Sequence, residues 1–114
     1  MTYSQKDVIL LRFPFADLSS TKKRPALVLS NTAFNKRHAD LICCLITTNL
    51  SPDPDCVVIE AAHMERGHLP FVSKIKPYRL FTAEQSTIEK RLGALNQAKF
   101  KETVRKLTTL FVET

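Results

Sequence analysis

A chain of 114 residues, 44% hydrophobic and 25% charged, can bury one modest core and is too short for two. Its formal net charge of +6 favours polyanionic partners, because binding a nucleic acid releases condensed counterions, yet charge names a partner class and not an activity. No apolar run approaches the ~18 residues of a membrane span. The stretch Val8 to Leu11 is far shorter than a signal-peptide core, so the expectation is a cytoplasmic protein with no membrane contact.

Asp7-Val8-Ile9-Leu10-Leu11-Arg12-Phe13 is a compact apolar run closed by Pro14, and Pro25-Ala26-Leu27-Val28-Leu29-Ser30 is a second. Leu41 to Thr47 forms a third and Cys56-Val57-Val58-Ile59-Glu60 a fourth. Their lengths and β-branched content predict strands, with Ser19 to Lys22, Asn31 to Lys36 and Ser51 to Asp55 as the turns between them. These connections have no room for crossover helices, so the sheet is expected to be largely antiparallel. Phe71 to Lys76 and Tyr78 to Phe81 predict one long strand with a break or bulge at Pro77, since proline cannot donate to a ladder. Ile88 to Leu95 predicts a short final strand around Gly93.

The fold class is therefore mainly β, closing into a small barrel over about residues 5–95 of a single domain spanning 1–114. After Leu95 the period changes. Phe100, Val104, Leu107 and Phe111 recur at intervals of four, three and four, which predicts an amphipathic helix over about 96–112 with Asn96 as its N-cap. Such a helix is marginal alone and is expected to dock its apolar face on the barrel or on a partner subunit.

Three segments could carry chemistry. The loop Ala16 to Arg24 ends in three cations, and Arg24 sits directly before Pro25, which restricts its backbone. A fixed guanidinium is planar, always charged and able to donate two parallel hydrogen bonds to one phosphoryl group. The competing reading is a solvated basic loop. At Ile46-Thr47-Thr48-Asn49, hydroxyls and an amide emerge from an apolar strand; the bland reading is turn capping. In Ser73-Lys74-Ile75-Lys76 the alternation places both lysines on one face, a positive stripe that could track an RNA strand. Cys43 and Cys44 are adjacent and Cys56 stands apart, a set that predicts reduced thiols. His38, His63 and His68 lie on loop-like stretches with no CxxC-like or clustered spacing, so no metal or other cofactor is expected.

Taken in order, Asp7-Val8, Phe13-Pro14-Phe15, Lys23-Arg24-Pro25-Ala26-Leu27-Val28-Leu29-Ser30-Asn31, Ile46-Thr47, Gly67-His68-Leu69, Ser73-Lys74-Ile75-Lys76 and Gly93-Ala94-Leu95 resemble the MazF/PemK endoribonuclease toxins of type II toxin-antitoxin systems. That resemblance implies an SH3-like barrel with a C-terminal helix, a homodimer, and a cognate antitoxin as partner. It also implies metal-independent cleavage of single-stranded RNA by attack of the ribose 2′-hydroxyl. It makes Arg24 and Thr47 the catalytic pair: Arg24 would stabilise the phosphorane-like charge and Thr47 would donate to a phosphoryl oxygen. Lys22, Lys23, Thr48, Asn49, Ser73, Lys74 and Lys76 are then the expected RNA-binding residues.

This chain departs from the family at three points. Lys6 stands where glycine is usual, Asp17 is the only acidic residue in the first loop, and Lys74 replaces a frequent glutamine. Two alternatives share the fold: CcdB-like toxins that bind DNA gyrase and cut nothing, and inactive relatives that only bind nucleic acid. The histidines are the fallback acid and base, by virtue of their pKa. The set Arg24, Thr47 and Lys76 favours the nuclease.

Overall fold

The computed structural model describes residues 2–14 and 21–113. Strands β1 (Asp7–Pro14) and β2 (Thr21–Val28) are followed by a short helix α1 (Thr32–Arg37), then β3 (Asp40–Thr47) and β4 (Val57–Ile59). Next come β5 (Met64–Gly67), β6 (Ser73–Glu84), β7 (Ile88–Leu95) and the helix α2 (Gln97–Thr109). Every described strand pairing is antiparallel, and the seven strands run in the order β4-β6-β3-β2-β1-β7-β5. The sheet forms a half-barrel closed off by the C-terminal helix.

Period-two alternation distributes the strand residues between two cores. Val8, Leu27, Cys44 and Ile75 join one cluster, while Ile9, Val28 and Cys43 join the other. Apolar side chains thus cover both faces of the central strands, which explains why these segments read as continuous apolar runs. Phe100 anchors α2 on the first cluster, with Val104 packed beside it. The Asn96 side chain accepts the Lys99 N–H at 2.8 Å and caps that helix as expected.

Pro77 does interrupt the long strand. Lys76 pairs with Leu45 but Leu80 pairs with the adjacent Cys44, so Pro77, Tyr78 and Arg79 form a bulge in β6. Four expectations need correction. Lys22 to Arg24 are not loop: β2 starts at Thr21, and these cations pair with Phe13, Arg12 and Leu11 of β1. The turn expected at Asn31 to Lys36 contains α1, whose first turn is capped by Asn31 accepting the Phe34 N–H at 2.8 Å. A strand at Met64–Gly67 escaped prediction because it is mostly polar and exposed. The last helix ends at Thr109, so Phe111 lies beyond it and is 72% exposed instead of packed.

Lys6 has φ 78, the left-handed region that glycine occupies without strain. A lysine there costs about 1–2 kcal/mol. The next residue, Asp7, is buried and accepts both the Ser4 N–H and the Arg91 Nε–H at 2.8 Å, which ties the N-terminus to β7.

Candidate active site

The site follows from where the β2–β3 ladder stops. Val28, Leu27 and Ala26 pair with Cys43, Cys44 and Leu45, and the next residue of β2 is Pro25, which has no N–H to give. Beyond it the strand ends flank a cleft of about 220 Å³ lined by Lys22, Lys23, Arg24, Pro25, Ile46, Thr47 and Thr48. Continuing the ladder register by two residues faces Arg24 with Thr47. The two residues singled out from the sequence as a catalytic pair therefore line one cleft.

Thr47 is almost buried, and its Oγ1 accepts the Asn49 N–H at 3.1 Å. A threonine hydroxyl that accepts one hydrogen bond keeps one proton that it can donate. Arg24 is half-buried at the opposite wall. A guanidinium and a hydroxyl converging on one small space can hold a phosphoryl group and stabilise added negative charge on it.

The three neighbouring cations of β2 separate by face. Lys22 and Arg24 share one face, and Lys23 takes the other, where Glu89 of β7 accepts from it at 2.8 Å and from Arg12 at 3.0 Å. Those two cations, the Lys23 hydrogen bond first, hold the Glu89 carboxyl below its ordinary range. Lys22 is exposed.

The segment after Thr47 is pinned from three directions. Asn49 Oδ1 accepts from the Ser51 N–H and Oγ–H. Lys74, which pairs with Thr47 across β3 and β6, is buried, and its ammonium donates to the Ser51 carbonyl. Tyr78 donates its O–H to Asp53 Oδ2 at 2.7 Å, and Lys106 of α2 donates to the Pro54 carbonyl. The Tyr78 hydrogen bond, with the Asp55 N–H, holds the Asp53 carboxyl down at about 2, while the same bond pushes the Tyr78 phenol upward.

Lys74 thus reaches the loop backbone instead of forming an exposed stripe with Lys76, which is half-buried. Ser73 is also buried and donates to the Phe71 carbonyl at 2.9 Å. Thr48 and Asn49 are exposed at the cleft end. Asp17 lies outside the described residues. The Asp53–Tyr78 tie and the Glu89 bridge had no local sequence signal, since their partners come from distant strands.

The histidines stay away from the cleft lining. His38 stacks on Phe34 with ring centroids 4.1 Å apart, His63 Nδ1 accepts the Glu60 N–H at 3.0 Å, and His68 is exposed. The three cysteines are buried free thiols; burial pushes Cys43 up to about 12 and raises Cys44 and Cys56 as well. Among the described residues, no group of three or more His, Cys, Asp or Glu is placed to hold a metal ion, and no helix is long and apolar enough to cross a membrane.

Residues 4–111 match the sequence profile of the PemK-like, MazF-like toxins of type II toxin-antitoxin systems. No curated protein sequence matches the chain. Among solved structures, an endoribonuclease in complex with its cognate antitoxin from a mycobacterial species superposes with a TM-score of 0.80 at 18% identity, covering 98% of both chains. MazF from Deinococcus radiodurans superposes with a TM-score of 0.78 at 23% identity over 97% of each chain. The Mycobacterium tuberculosis toxin MazF-mt6 gives 0.73 at 16% identity, covering 92% of this chain and 95% of that one. At these identities the structural likeness establishes the fold.

Proposed function

Because the chain belongs to the PemK-like, MazF-like toxins of type II toxin-antitoxin systems, we propose that it is a metal-independent endoribonuclease acting on single-stranded RNA from the Arg24–Thr47 cleft. The observation that carries this reading is that Arg24 and Thr47, from different strands, line one cleft of about 220 Å³. Cleavage proceeds by attack of the ribose 2′-oxygen on the adjacent phosphorus while its proton passes to solvent. The P–O5′ bond breaks and the 5′-oxygen leaves as a hydroxyl after taking a proton from water; between the two bonds the phosphoryl oxygens carry added negative charge. Arg24 binds that charge and Thr47 donates one hydrogen bond to it. Arginine has a reference pKa of about 12.5 or above, so its role is electrostatic rather than that of a proton carrier.

Lys22, Thr48, Asn49 and Lys76 attract and hold the flanking RNA backbone. Lys23 adds to the local positive field, tempered by Glu89, while Ser73 and Lys74 act on the RNA through the loop and strand that they hold in place. The site works in a homodimer, and a cognate antitoxin silences it; an acidic tail suits the net charge of +6. Three buried thiols fit a reducing, cytoplasmic setting.

The test is to incubate the purified protein with a long single-stranded RNA in EDTA and map the new ends. Cuts at a short recurrent motif, leaving 2′,3′-cyclic phosphate or 3′-phosphate and 5′-hydroxyl ends, are the expected result. Intact RNA, with inhibition of DNA gyrase instead, would overturn the proposal.

A further inference from the structure

Beside the catalytic cleft lies a second cavity of about 210 Å³, lined by Phe13, Leu45, Arg79, Leu80 and Phe81. It is smaller than the roughly 300–1,000 Å³ of pockets for drug-sized ligands. It opens on the same face of the sheet as Arg24 and Thr47. Phe13 is the cross-strand partner of Lys22, its neighbour Leu11 is the partner of Arg24, and Leu45 precedes Thr47 by two residues on β3. Two strand residues span about 7 Å, so the cavity begins within one nucleotide of the cleft.

Resting on the ribonuclease reading, we propose that this cavity is a base-specific subsite that seats a guanine next to the scissile phosphate. Phe13 and Phe81 meet edge to face, with centroids 4.7 Å apart and planes at 75°, and so offer an aromatic face and an aromatic edge to a flat ring. Stacking alone accepts any base. Arg79 makes the discrimination. It stands in the bulge that Pro77 introduces, is exposed, and has no hydrogen-bond or ion-pair partner among the described residues. The other lining side chains are all hydrocarbon, so the cavity offers side-chain donors and no side-chain acceptor. Guanine presents two adjacent acceptors, O6 and N7, which a guanidinium takes in a bidentate pair. The exocyclic amino groups of adenine and cytosine would be left facing the cation.

Wild type, Arg79→Met and Phe81→Leu are compared on an RNA pool randomised around the cut, with folding checked by thermal melting. The wild type is expected to prefer guanine at one position adjoining the cut. In Arg79→Met the ratio of kcat/KM for guanine over adenine at that position falls by roughly 5- to 150-fold. In Phe81→Leu all four bases lose efficiency there. An unchanged guanine preference in Arg79→Met overturns the subsite, as does an equal loss for all bases, which would mark Arg79 as a phosphate contact only. Altered dimer dissociation with unchanged base preference also overturns it, because a second copy would then cover the cavity. A wild type that cuts no RNA defeats the ribonuclease reading instead. In that case photo-cross-linking of a short RNA carrying 8-bromoguanine decides: adducts on Phe13 or Phe81 support the subsite, and adducts elsewhere or none refute it.

Discussion

Thr47 is almost buried and its oxygen accepts the Asn49 N–H, which leaves its own proton able to donate to a phosphoryl oxygen in the cleft that it lines. Thr47→Val keeps the shape and removes that donor; the expected outcome is a kcat lower by about 10²–10³ under single-turnover conditions, with the melting temperature nearly unchanged. Thr47→Ser keeps most of the rate. Asp53 sets a pH limit on the loop that follows. Its carboxyl is held at about 2 in the folded chain, below the ordinary value, so the tie to Tyr78 is fully present from above the ordinary carboxylate range up to the raised pH at which the Tyr78 phenol ionises, and is lost as pH falls through about 2. Tyr78→Phe is expected to return the Asp53 titration toward its ordinary range by carboxyl NMR, and an unmoved titration would contradict the assignment. At this scale the sequence indicated residue types but not their facing. Lys22-Lys23-Arg24 looked like one basic patch, and only the register with β1 shows that Lys23 points away to Glu89. Lys74 looked exposed because nothing local announces that the Ser51 carbonyl arrives over it.

Elements with strong local patterning were legible. Ile88–Leu95, the Pro77 bulge and the Asn96 cap all stand where alternation, proline chemistry and capping place them. Those that failed lacked a pattern of their own: α1 is six residues long and depends on its Asn31 cap, and β5 is held by β7 rather than by apolar content. The β5–β7 contact has a specific requirement. Gly67 has φ 78 and lies opposite Gly93, and a Cβ on Gly67 would stand 2.1 Å from the Leu92 carbonyl oxygen. Gly67→Ala is expected to cost at least about 1–3 kcal/mol, read as a lower midpoint in urea or heat. A variant as stable as the wild type would show that β5 can shift away from β7 at no cost.

For the molecule as a whole, the half-barrel converts a break in one ladder into a site. Both sheet faces are buried around β2 and β3, so the strand ends that carry Arg24 and Thr47 leave a packed base and cannot drift apart freely. The same architecture leaves the cleft at the rim, where a net charge of +6 can gather a polyanion. The fold was legible because the apolar runs are local; Arg24 and Thr47 were paired by the family resemblance, and the strand register is what brings them to one cleft. The loop clamp, the Glu89 bridge and the cavity at Phe13 and Phe81 were not legible, because each joins strands distant in sequence. If Arg24 performs catalysis rather than supporting the fold, its removal separates activity from stability. The direct measurement is single-turnover RNA cleavage in EDTA by Arg24→Ala beside the wild type, with melting temperature and subunit mass determined on the same samples. Cleavage is expected to disappear while fold and assembly persist; undiminished cleavage by Arg24→Ala would rule out a catalytic role for this side chain.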